Sequence, residues 1–179
     1  LKNNKDSFDL LYAYGLFCRT SNNFDLAKRL FLNLINKFPK SINSYILLAE
    51  ILRMENKFKD AERVLQKAMK ADSNNGDLLY NFSLLYFASK NFDEALTCID
   101  KAIKLSRNNV IYQLLKSEIY INNYNIDESL CILEDLKKNS KVQKDNSKEI
   151  RIFILLADAY IKKREYEEAE NILLKLIKK

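Results

Sequence analysis

The chain has 179 residues, of which 47% are hydrophobic and 30% charged, a balance that predicts a folded, mostly helical protein. It contains no histidine and only two glycines, which excludes Ser-His-Asp, Cys-His and HExxH chemistry and leaves no material for a phosphate loop. Its net charge of +6 comes from 30 basic and 24 acidic residues that are interleaved along the chain. This mixture favours a solvated helical surface over a nucleic-acid-binding stripe, and we predict neither an enzyme nor a cofactor.

The three cysteines, Cys18, Cys98 and Cys131, are widely spaced and form no CxxC pair. This spacing predicts buried, reduced thiols and no metal site. No stretch is apolar over the roughly 18 residues that a membrane span needs, so no span is expected. The opening LKNNKDSF contains no apolar core of a signal peptide, and we interpret the chain as a fragment of a longer protein.

One local phrase recurs along the chain as NFDLAKRLF, KFKDAERVL and NFDEALTCI. It places Ala27, Ala61 and Ala95 34 residues apart, and a fixed period of this length is typical of a solenoid. The alanine register divides the chain into units at 8–41, 42–75, 76–109 and 110–143, and a fifth at about 150–179.

Each unit is predicted to hold two helices joined by a short polar break. Asparagine tolerates the left-handed backbone that ends a helix, and Asp25, Asp93 and Asp127 then fall in the first turn of the second helix, where a carboxylate suits the helix dipole. The five breaks are Asn22-Asn23, Asn56-Lys57, Lys90-Asn91, Tyr124-Asn125 and Arg164-Glu165.

Two further positions recur in step with the marker alanine, which becomes Ser129 in the fourth unit and Ala169 in the fifth. A small residue precedes the marker by twelve positions and should let the paired helices cross closely: Gly15, Ala49, Ser83, Ser117 and Ala157. A large apolar residue precedes it by three positions and should fill the gap between units: Phe24, Phe58, Phe92, Ile126 and Tyr166.

This arrangement resembles the tetratricopeptide repeat family over residues 8–179. The matching residues are Leu11, Tyr14, Gly15, Phe24, Ala27, Phe31 and Pro39 in the first unit, and Leu79, Phe82, Tyr86, Phe92, Ala95 and Ala102 in the third. The resemblance implies an all-α, right-handed α-solenoid of stacked antiparallel helix pairs, which we expect to form a single domain over 1–179. The fourth unit departs from the pattern at Ser129 and Lys116. The period then stretches to 40 residues, which predicts an insertion around 137–149, either a loop or helix ends that extend past the stack.

In such a solenoid, the first helices of successive units line the concave face, where residues four and seven further along a helix share one side. The resulting groove is mostly apolar with isolated charges, which favours an amphipathic helix or an extended peptide. The alternative is that curvature packs these side chains on one another. Arg19 and Arg53 could meet an acidic group of a ligand, but Arg53 follows Glu50 by three residues, and we expect the two to pair within their own helix. The predicted groove residues are Tyr12, Leu16, Arg19, Ile46, Glu50, Arg53, Tyr80, Leu84, Phe87, Leu114, Glu118 and Ile121, continued by Ile154, Asp158 and Ile161.

The same groove disfavours two other ligands. Family members that bind the acidic tails of heat-shock chaperones use lysine, asparagine and arginine. The matching positions here, counted from the first unit, are Tyr12, Leu16, Leu47, Asp77 and Asn81, and from the second they are Ile46, Glu50, Asn81, Ile111 and Leu115. Neither set could neutralise a terminal carboxylate. RNA-binding solenoids read bases with recurring polar side chains, whereas the recurring positions here are apolar.

Two functions remain open. The first is a non-catalytic adaptor that binds a protein segment. The second is a structural arm that docks or dimerises through its terminal repeats, because the last helix offers four apolar residues with nothing following them: Ile172, Leu173, Leu176 and Ile177. A trimmed capping segment is the other explanation of that helix.

Overall fold

The chain is all-helical. The structure is a computed structural model, and it describes residues 2–138 and 145–177, with side chains from residue 7 onward. Within these ranges the regular elements are ten α-helices and no strand, as predicted. They are α1 (Lys2–Thr20), α2 (Phe24–Lys37), α3 (Ile42–Met54), α4 (Phe58–Ala71), α5 (Gly76–Ala88), α6 (Phe92–Leu105), α7 (Val110–Asn122), α8 (Ile126–Lys138), α9 (Asn146–Lys163) and α10 (Tyr166–Ile177).

Within each half of the chain, α1 to α5 and α6 to α10, helices that follow one another pack as stacked antiparallel pairs. The helix pairs with extensive contacts are adjacent or next but one in sequence, such as α1 with α2, α3 with α4 and α3 with α5. The chain divides into two compact units, Leu1–Lys90 and Asn91–Lys179. The first unit contains α1 to α5 and the second contains α6 to α10, and the prediction of a single domain stays a prediction.

The five predicted breaks are helix ends in the left-handed conformation. The first residue of each break has a φ between 59° and 67°. The next residue reaches back across the last turn, as where the Asn23 N–H donates to the Cys18 carbonyl at 2.8 Å and the Asn125 N–H to the Tyr120 carbonyl at 2.9 Å. This is the bonding of a Schellman motif, which satisfies carbonyls that the helix end would otherwise leave unpaired. The left-handed residues are Asn22, Asn56, Lys90, Tyr124 and Arg164.

The recurring small residues lie where helices meet most closely. The three marker alanines Ala27, Ala61 and Ala95 are 0% exposed. At Gly15, a Cβ atom would lie 2.9 Å from the buried Phe31 ring, so only glycine fits without a shift of that ring. Ser129, which replaces the marker alanine in the fourth unit, is also 0% exposed.

The structure revises the prediction for the cysteines and describes only part of the predicted insertion. Only Cys18 is a buried thiol, because Cys98 is partly buried and Cys131 is exposed on α8. In the predicted insertion around 137–149, α8 extends to Lys138 and α9 starts at Asn146. The centre of that insertion, 139–144, lies outside the described residues.

Candidate functional site

Nine of the predicted groove residues lie together on the first helices of the first compact unit. They recur at spacings of four and seven residues on α1, α3 and α5, so each helix directs its three to one side. All nine are half-buried, six are apolar or aromatic, and we call them the α1–α3–α5 surface. Its members are Tyr12, Leu16, Arg19, Ile46, Glu50, Arg53, Tyr80, Leu84 and Phe87.

Leu114 and Ile121, which were predicted to continue this surface, belong to the core of the second unit. They are 1% and 0% exposed and pack in one cluster with Leu155 and Leu156 of α9 and Leu136 of α8. A ligand has no access to them in this arrangement, so they are not part of the surface. The cause is α9, which has 18 residues where α7 has 13 and packs against both α7 and α8.

The charges on the α1–α3–α5 surface are arranged between helices rather than within one. The Arg19 guanidinium of α1 donates to the Glu50 carboxylate of α3, and both side chains keep about 30% of their surface exposed, at 27% and 31%. The expected pair between Glu50 and Arg53 is therefore wrong, because the Glu50 carboxylate pairs across the helices with Arg19 instead. Burial raises the pKa of the nearby Tyr12 hydroxyl, and Arg19 partly offsets that effect.

Arg53 lies in the last turn of α3, the middle helix of this surface, and has no ionic partner among the described residues. It lines a narrow recess between α3 and α5 together with Glu50, Asn81 and Leu85. The NH2 group of the Asn81 side chain donates to the Asp77 carbonyl at 2.8 Å. The recess is too narrow to admit a water molecule, so a ligand would have to lie over these side chains rather than between them.

The second compact unit, Asn91–Lys179, carries a different set of charges on α7 and α9. Glu118 of α7 accepts from Arg151 of α9 at 3.0 Å, and Asp158 lies 3.7 Å from Lys162 one turn further along α9. Ile154 and Ile161 of α9 are 53% and 45% exposed. Glu118 and Asp158, the charged groove residues of this compact unit, are thus both paired, and its two exposed apolar groove residues both lie on α9.

Sequence reasoning missed the partners of these charges. Neither Arg151 nor the ion pair between Lys116 and Asp100, at 2.7 Å, follows from helical spacing, because each joins two helices. Lys116 also lies over the Tyr120 ring, 5.4 Å from its centre. Leucine is usual at this position of the repeat. Here Lys116 takes its place, pairs with Asp100 and lays its aliphatic stem along α7 towards Tyr120.

The last helix exposes less than its sequence suggested. Ile172 is 8% exposed and belongs to the core, whereas Leu173 and Ile177 are 39% and 80% exposed. Over the described ranges, no helix is long and apolar enough to cross a membrane. In the same residues, no three acidic or cysteine side chains converge as metal ligands would.

Known structures share this fold. PilF of Pseudomonas aeruginosa is 20% identical, with a TM-score of 0.75 over 95% of this chain and 75% of its own. TTC0263 of Thermus thermophilus, a thermophilic tetratricopeptide repeat protein, is 19% identical, with a TM-score of 0.75 over 87% of this chain and 84% of its own. YrrB, described as a tetratricopeptide repeat protein with an unusual peptide-binding site, is 19% identical, with a TM-score of 0.62 over 99% of this chain and 88% of its own. At these identities the similarity shows the fold alone.

Sequence comparison identifies the family independently of the structure. No curated relative matches the chain. Two sequence models, both described as the tetratricopeptide repeat, match residues 52–119 and 150–178, which together make up more than half of the chain. The recurring alanines, the left-handed breaks and the stacked helix pairs agree with them. The chain belongs to the tetratricopeptide repeat family.

Proposed function

We propose that this chain is a non-catalytic scaffold that binds a peptide or helix of a partner protein on the α1–α3–α5 surface. Membership of the tetratricopeptide repeat family indicates a protein–protein interaction scaffold in general. The observation that supports the finer proposal is the row of half-buried apolar and aromatic side chains on three successive first helices. Such a row provides anchor sites at regular spacing for the apolar residues of a bound segment.

The carboxylate of the surface does not oppose an apolar ligand. A carboxylate left unpaired beside a bound apolar segment would lose its hydration and oppose binding. Glu50 avoids this because Arg19 already holds it. YrrB, which has the same fold, is described as having a peptide-binding site, and an analogous use of this chain's first helices is part of the proposal.

Selection from a displayed library of random dodecapeptides tests the proposal. We expect the native chain to enrich peptides with regularly spaced Leu, Ile, Phe or Tyr residues. Ile46→Lys places a charge in the middle of the surface and should remove that enrichment, because the apolar anchors of the peptide would have to desolvate an ammonium group. Leu32→Lys adds the same charge at a 48% exposed leucine of α2 and should leave enrichment unchanged. Equal enrichment by Ile46→Lys and the native chain would refute the proposed site.

A second candidate function, self-association, is favoured by the exposed apolar residues of α1 and α10. Leu10 and Phe17 of α1 are 72% and 64% exposed, and Ile177 of α10 is 80% exposed. Apolar side chains at these positions would be covered in a dimer. Sedimentation equilibrium over a range of concentrations tests this, and a monomer mass throughout, unchanged by Phe17→Glu, would rule it out.

A further inference from the structure

The position of Arg53 on the α1–α3–α5 surface points to one feature of the bound segment. We propose that the segment carries an Asp or Glu side chain that pairs with the Arg53 guanidinium and is flanked by apolar residues. This inference rests on the proposed function, since it assumes that a protein segment occupies this surface. It adds the chemistry that selects one segment over another.

The repeat register shows that Arg53 lacks a partner that its equivalent has. Arg19 and Arg53 lie 34 residues apart, each in the last turn of a first helix. Arg19 pairs with Glu50 on the next first helix. The residue 34 positions after Glu50 is Leu84 on α5, so the place of the matching carboxylate is taken by an apolar side chain.

The neighbours of Arg53 do not replace that carboxylate. Glu50 pairs with Arg19, and Asn81, which lines the same recess, carries no charge. The three charges of the surface, Arg19, Glu50 and Arg53, therefore leave one positive charge uncompensated. The guanidinium carries five N–H donors in a planar fork that matches a carboxylate.

The half-buried position of Arg53 makes such a pair more effective than one on an open surface. A segment that covers the α1–α3–α5 surface excludes water from Arg53, and a charge-assisted hydrogen bond strengthens when the local dielectric constant falls. The same covering would penalise a segment that left the guanidinium unpaired. The surface should therefore bind acidic segments and reject otherwise similar neutral ones.

The apolar side chains of the α1–α3–α5 surface define which residues should flank the acidic residue. Ile46 lies on α3 seven residues before Arg53, and α5 contributes Tyr80, Leu84 and Phe87. These groups contact apolar anchors on either side of the carboxylate. The expected ligand is thus one acidic residue between apolar ones, distinct from an acidic tail that offers many carboxylates.

The dodecapeptide selection, repeated with variants at residue 53, tests this inference. The native chain should enrich peptides with one Asp or Glu among apolar residues. Arg53→Gln should keep the apolar preference but lose the acidic one, and a peptide selected on the native chain should bind it about tenfold or more weakly, as expected for a lost charge-assisted hydrogen bond. Arg53→Glu should shift the enriched residue to Lys or Arg. That exchange of preference is a readout that loss of folding would not produce.

A matched pair of substitutions at residue 84 tests whether Arg53 lacks a partner because Leu84 stands in place of a carboxylate. Leu84→Glu supplies the carboxylate that the repeat lacks, so it should pair with Arg53 and abolish the acidic preference. Leu84→Gln has nearly the same size without the charge and should retain it. Circular dichroism of both variants checks that their helices are intact.

The outcomes separate this inference from the function on which it rests. If the native chain enriches apolar peptides without an acidic residue, the inference is overturned while the proposed surface stands. If the acidic preference survives Arg53→Gln, another group binds the carboxylate and the inference is again overturned. If no peptide is enriched at all, both proposals fail.

Discussion

At the scale of single residues, Ser129 marks a position where this chain departs from its own repeat at an energetic cost. Its side chain is 0% exposed, and its Oγ has no hydrogen-bond partner among the described residues. A buried hydroxyl without a partner costs about 1–3 kcal/mol. Ser129→Ala restores the marker alanine, and we expect it to raise the free energy of unfolding by about 1 kcal/mol, measured by urea denaturation.

Ser117 provides the control for this substitution. It is equally buried, but its Oγ donates to the Gln113 carbonyl at 3.0 Å. Ser117→Ala removes a satisfied hydroxyl together with its bond, so no gain in stability is expected. A loss of stability in Ser129→Ala, or an equal gain in both variants, would contradict the explanation by an unpaired hydroxyl.

At the scale of the helix and its end, the residues that adopt the left-handed conformation differ in how well they tolerate it. Asn22 and Asn56 tolerate a positive φ, whereas Tyr124 adopts a φ of 61° at a cost of roughly 1 kcal/mol or more. The Tyr124 side chain is 81% exposed, so little packing opposes its replacement. Tyr124→Asn should raise the free energy of unfolding, measured by urea denaturation, by about 0.5–1 kcal/mol.

A comparison with Tyr124→Ala distinguishes relief of backbone strain from loss of an exposed aromatic ring. Alanine removes the ring but retains a Cβ that disfavours the left-handed region, so its effect should be smaller than that of asparagine. Equal stabilisation by both substitutions would show that the ring, and not the backbone, is responsible.

The ion pair between α2 and the end of α3 makes the stability of the first compact unit depend on pH in the acidic range. Lys28 Nζ lies 2.6 Å from Glu55 Oε1, and its hydrogen bond lowers the pKa of the Glu55 carboxyl. A carboxyl with a lowered pKa stabilises the fold above its unfolded value, near pH 4.5, and that contribution disappears as the pH falls through the folded value. Urea denaturation should show the native chain more stable than Glu55→Gln at pH 7. The difference should shrink towards pH 3, and a constant difference would exclude this linkage.

Prediction from sequence succeeded for the elements and was weaker for contacts between them. The breaks at Asn22 and Lys90 followed from the repeat itself, since a short polar step separates the two helical patterns at the same point of each unit. The burial of Leu114 and Ile121 did not follow, because it depends on α9 packing against two other helices. The pair between Arg19 and Glu50 was missed for a similar reason: a spacing rule compares residues of one helix. Contacts across helices depend on distances that a repeat period does not specify.

At the scale of the whole molecule, each compact unit has a core of its own. Phe31 is fully buried in a cluster with Cys18, Leu34 and Ile51 of the first unit, while the second unit has a separate cluster around Leu156. In stacked repeats, stability is a sum of local terms between neighbours, so a cavity in one unit should lower protection mainly there.

Native-state hydrogen exchange measures that locality. Phe31→Ala should cost about 3–5 kcal/mol and lower the protection of amides in α1 to α3, while amides in α7 to α9 retain nearly native protection. The matching substitution Leu156→Ala, in a residue that is 0% exposed, should give the reverse pattern. An equal loss of protection in all helices from either substitution would mean that the chain unfolds as one cooperative body. The local description of its stability would then be wrong.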